Sequence, residues 1–190
     1  MSNHADIPED TGTITDLSVE MAEALSKSEE DGIDLSGLTS LSDGAARALF
    51  KFKGGNLYLE GLTSLSDNAA EALSKFKGDN LNLNGLTSLS DKTAEALGKL
   101  EDFGRVHCVE STLWLDGLTS ISDTAAEALS KFKGPCLELN SLTSLSDTAA
   151  KALSNFEGDN LALYGLTSIS AGASEALSKV KGIVLSPFHR

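Results

Sequence analysis

One seven-residue string recurs along this chain and limits what the chain can fold into. GLTSLSD occupies residues 37–43, 61–67 and 85–91, and close variants occupy 117–123, 141–147 and 165–171. Successive strings begin 24 residues apart, except that the fourth begins 32 residues after the third. A fixed period of this length predicts an array of identical structural units, with an insertion of eight residues in the third unit.

Each unit opens with a short alternating segment. In residues 57–80 this segment is Leu57-Tyr58-Leu59-Glu60, in which apolar and polar side chains alternate. Alternation of this kind predicts a strand with one buried face. Because every strand enters the array in the same sense, we expect a parallel sheet with right-handed crossovers.

The second half of each unit has the pattern of a helix. Ser66-Asp67 is a helix start, where one of the two side chains caps the first amide groups. Leu73 and Phe76 follow at helical spacing, so we predict a helix of about ten residues that Gly78 ends. Glutamate precedes lysine by four residues in several units, which is the favourable order for an ion pair: Glu71–Lys75, Glu95–Lys99, Glu127–Lys131 and Glu175–Lys179.

A single unit is too small to fold alone. About six apolar side chains, each worth about 2 kcal/mol when buried, do not offset about 1–2 kcal/mol per residue of backbone ordering. Stacked units bury the flanks of their neighbours. The predicted fold is therefore an α/β right-handed solenoid, with a parallel sheet on its concave face and short helices on its convex face.

The ends of the array predict the domain organisation. Residues 1–12 are predicted to be a flexible segment, and residues 13–190 a single domain. Within it, Ser28 and a run of acidic residues give the first helix the polar character of a terminal cap, while Ile183-Val184-Leu185 predicts a final strand before Pro187. The predicted parts are a cap half-repeat at 13–32, repeats at 33–56, 57–80, 81–112, 113–136, 137–160 and 161–182, and a terminal strand at 183–185.

The consensus LxLxGLTSLSDxAAEAL resembles leucine-rich repeats, and among these the bacterial kind, over about residues 14–185. The resemblance implies a solenoid that serves as a binding scaffold. The family places asparagine after the strand, whereas here Asn56, Asn80 and Asn160 lie before it and glycines such as Gly61 follow it. We therefore expect an altered internal hydrogen-bond ladder, built partly from the Thr-Ser pairs of LTSL.

The side chains between the strand leucines vary from unit to unit, and we expect them on the concave face. They form two columns, and neither contains lysine or arginine. The only tryptophan and both tyrosines of the chain lie in these columns, and exposed aromatic residues are frequent anchors in binding patches. The first column is Asp34, Tyr58, Asn82, Trp114, Glu138 and Ala162, and the second is Ser36, Glu60, Asn84, Asp116, Asn140 and Tyr164.

The insertion, GKLEDFGRVHCVEST, lengthens one helix-to-strand connection and leads directly into the strand of Trp114. It is either a binding loop at the rim of the sheet or a tolerated surface insertion. We predict that the binding residues come from the concave face and from this loop: Tyr58, Glu60, Asn82, Asn84, Trp114, Asp116, Glu138, Tyr164, Phe103, Arg105 and His107.

Composition excludes several functional classes. A net charge of −13 argues against nucleic-acid and anionic-membrane binding, and no apolar run is long enough to span a membrane. The histidines lack metal-ligand spacing, the glycines form no phosphate-binding loop, and we expect no cofactor. Cys108 and Cys136 are expected to be reduced, with a disulfide between them as the alternative. The segment MSNHADIPED lacks the features of a signal peptide, so the default location is cytoplasmic, with secretion as the alternative.

These observations predict a non-enzymatic scaffold that binds another protein. An acidic, aromatic and amide-rich sheet suits a partner with a basic segment, or a polyhydroxylated ligand. The alternative is a structural array that self-associates through its C-terminal edge. A thiol enzyme that uses Cys108 beside His107 is a third, weaker interpretation.

Overall fold

The structure is a computed structural model that describes residues 7–100 and 111–185. Within these residues, seven short strands alternate with seven short helices. The strands are β1 Gly32–Asp34, β2 Asn56–Tyr58, β3 Asn80–Asn82, β4 Thr112–Trp114, β5 Cys136–Glu138, β6 Asn160–Leu163 and β7 Ile183–Leu185. The helices are α1 Val19–Leu25, α2 Asp43–Leu49, α3 Asp67–Leu73, α4 Asp91–Leu97, α5 Asp123–Leu129, α6 Asp147–Leu153 and α7 Ala171–Leu177.

The strands form one open parallel sheet in chain order, β1 to β7. Leu57 of β2 pairs with Leu81 of β3, so equivalent residues of adjacent repeats lie opposite each other in the sheet. Leu81 in turn pairs with Leu113, which shows that the longer third unit returns to the same register. The prediction of an α/β repeat solenoid with a parallel sheet and a terminal seventh strand is confirmed.

The core is a continuous layer of leucine and alanine between the sheet and the helices. In the second unit Leu57, Leu59 and Leu62 have no exposed surface, and Ala70 and Leu73 reach the same layer from α3. A fully buried leucine contributes about 2 kcal/mol relative to an exposed one. Since each unit buries the same positions, the units stack without a change in geometry.

The helices are shorter than predicted. Each spans seven residues, and α3 ends at Leu73 rather than near Gly78. After Leu73 the chain tightens, because the N–H of Phe76 donates to the carbonyl of Leu73 at 2.9 Å, three residues back. This turn brings the chain to the next strand in the few residues that a period of 24 leaves.

Phe76 therefore lies in the turn and not in the helix. Its ring is fully buried and stacks on Phe52 of the preceding unit, with ring centroids 6.5 Å apart. Gly78 is required by this packing, since a Cβ there would lie 2.2 Å from Cζ of Phe76 and 2.6 Å from the carbonyl oxygen of Gly55. The glycine makes room for the ring and does not end the helix, which corrects the sequence prediction.

A serine caps every helix, and in α3 to α7 it also joins the helix to the preceding one. Ser66 Oγ accepts the N–H of Ala69 at 3.0 Å and donates to Oδ1 of Asp43, at the start of α2, at 2.6 Å. Later caps repeat the arrangement, and we call the series the serine–aspartate ladder: Ser66–Asp43, Ser90–Asp67, Ser122–Asp91, Ser146–Asp123 and Ser170–Asp147.

The ladder acts on the pKa of two of its aspartates, Asp43 and Asp67. The hydrogen bond from Ser66, followed by that from Asn68, lowers the pKa of Asp43 below its ordinary value of 3.8. Bonds from Ser90 and then Thr93 do the same for Asp67. A lowered pKa in the folded state stabilises the fold above the unfolded pKa, and this contribution is lost as the pH falls through the folded value.

The ladder has no aspartate in its first and last units. Val19 stands where Asp43 stands in the next unit, and Ala171 stands at the equivalent position of α7. Neither side chain can accept a hydrogen bond from the capping serine of a further unit. The series of cross-repeat bonds therefore begins at Asp43 and ends at Ser170.

Two further ladders of hydrogen bonds join neighbouring units. At the first residue of the strands, Nδ2 of Asn80 donates to Oδ1 of Asn56 at 2.7 Å, and Oδ1 of Asn80 accepts the N–H of Thr112 at 2.9 Å. After the strands, threonines of adjacent units join through their backbones, as when Thr143 N–H donates to the carbonyl of Thr119 at 3.3 Å. The serine that takes part in the serine–aspartate ladder is the capping serine, such as Ser66, and not the serine of the Thr-Ser pair, such as Ser64.

The first and last units close the core differently. Ile14 and Leu17 are buried in the cap half-repeat, and Ile7 packs against the same core ahead of a short 3-10 turn, Thr11–Thr13. At the other end all three residues of β7 are half-buried. Pro187 and residues 1–6 lie outside the described residues, and the domain boundaries stay predictions.

The structure contains two of the predicted helix ion pairs. Glu127 lies 3.1 Å from Lys131, and Glu175 lies 3.9 Å from Lys179. Lys75 lies over the ring of Phe50, 5.9 Å from its centroid. These pairs are exposed and contribute little to stability.

Two serine substitutions separate capping from cross-repeat bonding. Ser42→Ala removes only a cap, and we expect it to lower the free energy of unfolding by about 1 kcal/mol. Ser122→Ala removes a cap and the 2.5 Å bond to Asp91. We expect it to cost about 1 kcal/mol more than Ser42→Ala. Urea unfolding measures both, and equal losses would show that the ladder does not stabilise the stack.

Candidate binding face

The sheet has one face toward the helices and one face away from them. Leu57 and Leu59 point into the core, so Tyr58 between them and Glu60 after Leu59 lie on the opposite face. We call this surface the strand face, and it corresponds to the predicted concave face. Tyr58, Asn82, Trp114 and Glu138 are half-buried there, whereas Tyr164 is 53% exposed.

Strand pairing aligns the first column of the strand face. Tyr58 pairs with Asn82, Asn82 with Trp114, and Trp114 with Glu138. Glu138 pairs in turn with Ala162. Neighbouring strands lie about 4.8 Å apart, so the structure brings these predicted residues into one continuous row.

The second column has a structural role that the sequence analysis missed. Asn84 Oδ1 accepts the N–H of Asp116 at 2.8 Å, and Asp116 Oδ1 accepts the N–H of Asn140 at 2.7 Å. Asn140 Oδ1 accepts the N–H of Tyr164 at 3.2 Å. These oxygens satisfy backbone amides beyond the ends of the strands. A short side chain with an oxygen at this position in three successive units was the signal for it.

Trp114, Asp116, Glu138 and Asn140 form a compact acidic centre. Oε2 of Glu138 accepts a hydrogen bond from Nδ2 of Asn140 at 3.0 Å. Burial, followed by the nearby charge of Asp116, raises the pKa of Glu138 above its ordinary value of 4.5, although hydrogen bonds from Trp114 and Asn140 act in the other direction. A positive group placed here would relieve the repulsion between the two carboxyl groups.

Glu60 forms a second acidic position beside Tyr58. Its Oε2 is buried and has no hydrogen-bond partner among the described residues. A buried carboxylate oxygen that makes no hydrogen bond is costly. The next residue of the second column, Asn84, donates its backbone N–H to Oδ1 of Asn82 at 3.0 Å and not to Glu60.

Backbones pass close together beneath this face. A Cβ on Gly85 would lie 2.1 Å from the carbonyl oxygen of Glu60 and 2.6 Å from that of Leu62. Glycine at this position lets each unit approach the previous one directly below the second column. The same position is serine only in the fifth complete unit, at Ser141.

The positive charges lie elsewhere on the molecule. Lysines follow the helices, where Lys133 pairs with Glu157 at 2.8 Å and Lys181 with Asp159 at 3.6 Å. A groove between α3 and α4 is lined by lysines and glutamates together. The strand face is therefore the surface on which acidic side chains stand without intervening basic ones.

The predicted contribution of the inserted loop falls on Phe103, Arg105 and His107, which lie outside the described residues. The description resumes at Ser111 and Thr112, both buried, just before Trp114. Cys108 also lies outside it, and Cys136 is half-buried at the start of β5.

Residues 7–100 and 111–185 contain neither a cluster of metal ligands nor a membrane-spanning helix. No group of three or more histidine, cysteine, aspartate or glutamate side chains is placed to hold a metal ion. None of the helices in this part of the chain has the length and apolar character needed to cross a membrane.

Comparison with known proteins gives no family assignment. No protein-family model matches the chain, and no curated protein is significantly similar to it. The repeated strand–helix unit and its sheet are therefore the observations from which function has to be inferred.

The acidic centre predicts a pH-dependent stability. Because the pKa of Glu138 is raised, its charged form opposes folding, and this cost appears as the pH rises above 4.5. We expect Glu138→Gln to stabilise the protein at about pH 7, by less than about 1 kcal/mol after solvent screening. The gain should vanish at about pH 4, where the wild-type carboxyl is protonated.

Urea unfolding of wild type and Glu138→Gln at both pH values makes this comparison. Glu157→Gln is the matched control, because the pKa of Glu157 is lowered by its bond to Lys133. That variant should lose stability at neutral pH. A Glu138→Gln variant that is less stable than wild type at neutral pH would contradict the account of the centre.

Proposed function

We propose that the protein is a non-enzymatic interaction module that binds another protein through its strand face. The observation that carries this proposal is the difference between the inward and the outward side chains of each strand. The inward residues of β2 to β6 are buried leucines in every unit, whereas the outward residue of the first column is different in each of them: Tyr58, Asn82, Trp114, Glu138 and Ala162. An array that only stacks would not need different outward side chains in each unit. An array that presents a specific binding surface would need them.

The chemistry of the strand face supports a protein partner with positive charge. Glu60 and Asp116 of the second column and Glu138 of the first are acidic, and the aromatic side chains of Tyr58 and Trp114 lie in the first column beside them. Aromatic rings and carboxylates are the groups that recognise lysine and arginine. A polyhydroxylated ligand would use the rings and amides but would not relieve the repulsion between Asp116 and Glu138.

We further propose that the units are leucine-rich repeats of the bacterial kind. The strand with alternating leucines, followed by GLTSLSD and a short helix, supports this assignment. The inserted loop would add Phe103, Arg105 and His107 at the rim. In support of this role, the chain leaves the insertion only a few residues before Trp114.

Self-assembly through the C-terminal edge is the alternative function. The half-buried residues of β7 favour it, because an open strand edge can pair with another chain. The end of the serine–aspartate ladder disfavours it, since Ala171 offers no acceptor to the capping serine of a following unit. A second copy would therefore meet this edge without the bond that joins the internal units.

Affinity capture with matched variants tests the proposed function. The strand-face variant carries Tyr58→Ala, Trp114→Ala and Asp116→Asn, the last of which retains the oxygen that bonds Asn140. The helix-face control carries Glu95→Gln and Lys99→Gln, both exposed on the opposite side. We expect a protein from the source cells to be retained by wild type and control, and retention to fall at least about tenfold with the strand-face variant.

Circular dichroism and urea unfolding establish that both variants remain folded. Equal retention of one partner by all three proteins would reject the strand face as the binding surface. Retention of untagged copies of the chain itself, unaffected by the strand-face substitutions, would instead favour the self-assembling alternative.

A further inference from the structure

The strand face carries two aromatic–acid pairs at a fixed separation. The first pair is Tyr58 with Glu60, from β2 and the residue two positions on. The second is Trp114 with Asp116, in the same positions of β4, and Glu138 of β5 adds a carboxyl group beside it. Between the two pairs lies β3, which presents only the uncharged amides Asn82 and Asn84.

Each pair has an unmet electrostatic requirement. Oε2 of Glu60 is buried without a hydrogen-bond partner among the described residues. At the second pair, Asp116 and Glu138 stand close enough for the charge of Asp116 to raise the pKa of Glu138. A cation with N–H donors answers both requirements, because it supplies a hydrogen bond to the first carboxylate and positive charge to the second.

The separation of the two pairs selects the conformation of the ligand. They lie two strands apart in the sheet, which corresponds to about 9.6 Å. A polyproline II segment has three residues per turn and rises about 3.1 Å per residue. Side chains three residues apart therefore project from the same side at a distance of about 9.3 Å. In a β-strand, side chains on the same side recur at intervals of about 6.7 Å, which does not match the separation of the two pairs.

A third aromatic residue continues the same spacing. Tyr164 follows β6, two strands beyond the strand of Trp114, and it is 53% exposed. Aromatic side chains thus come from β2, β4 and the end of β6, at every second strand of the sheet. Tyr164 stands in the second column, two residues beyond the first-column position of Ala162, so a segment with the same period would meet all three rings only if it crossed the two columns obliquely.

We propose, building on the protein-binding function above, that the occupant of the strand face is a polyproline II segment of a partner protein that lies across the strands and carries arginine or lysine at every third residue. One basic side chain meets Tyr58 and Glu60, and the basic side chain three residues along meets Trp114, Asp116 and Glu138. Arginine suits the second position, because a guanidinium group stacks on an indole ring and bonds a carboxylate through two N–H groups.

Two peptides of identical composition test the spacing. The probe PPRPPRPPR places arginine at every third residue, and the control PPRPRPRPP places it at every second. Both carry the same charge, so general attraction to an acidic surface does not distinguish them. Fluorescence anisotropy of labelled peptides at physiological ionic strength measures the two dissociation constants on the full-length protein.

We expect the probe to bind at least about fivefold more tightly than the control, which corresponds to one well-placed ion pair gained. Glu60→Gln should weaken binding of the probe by about fivefold and have less effect on the control peptide. Glu71→Gln, in the same unit but on the exposed side of α3, should leave both constants unchanged.

The possible failures are distinguishable. Equal affinities that both fall with Trp114→Ala would overturn the polyproline II spacing and leave the strand face as the binding surface. Affinities that depend on Glu71 and not on Trp114 or Glu60 would overturn this inference and the proposed binding surface together. Binding of cellohexaose, lost with Trp114→Ala, while neither peptide binds, would overturn the basic segment in favour of a neutral polyhydroxylated ligand.

Discussion

The capping serine is the contact on which the geometry of the stack depends. In an internal unit its hydroxyl does two things at once, because it accepts an amide N–H of its own helix and donates to the aspartate that begins the helix before it. Strand pairing fixes one side of the repeat, and this bond fixes the other. A unit held on both sides has little freedom to shift or rotate, so the leucines of successive units meet in the same core layer and the outward side chains remain in two straight columns.

This arrangement explains how a chain of such uniform repeats can present a specific surface. The inward leucines are committed to the core, and the outward positions are free to change without altering the stack. The freedom is not complete, since Asn84, Asp116 and Asn140 each use one oxygen to satisfy a backbone amide of the following unit. The positions best able to contribute to recognition without disturbing the sheet are therefore Tyr58, Trp114, Tyr164 and the carboxyl groups beside them.

The sequence analysis was most reliable where one physical signal repeated. The period of 24 predicted the strand register, the alternating leucines predicted the buried face, and Ile183-Val184-Leu185 was recognisable as a seventh strand. It failed at the helix end, where Phe76 continues the helical spacing and yet lies in a turn. Spacing cannot distinguish these cases, because a tight i to i+3 turn places its side chain on nearly the same face.

The contacts between units were also not predicted from the sequence. Ser66 was recognisable as part of a cap, but its bond to Asp43 joins residues 23 positions apart. Such a bond depends on how closely two helices stack, which no single unit encodes. The orphaned oxygen of Glu60 and the raised pKa of Glu138 likewise arise from neighbouring strands. The acidic character of the surface was predictable from composition, whereas the effect of Asp116 on the pKa of Glu138 required the structure.

If the units are interchangeable parts of one cooperative stack, the array should tolerate the loss of a whole unit. Deletion of residues 137–160 tests it, because Cys136 would then precede Leu161 as Asn160 does now, and β4 would pair directly with β6. Urea unfolding should show a single transition, with the free energy of unfolding lowered by about 1 to 4 kcal/mol and the m-value lowered by roughly an eighth. A shortened chain that is unfolded, or one as stable as the full-length protein, would contradict the account.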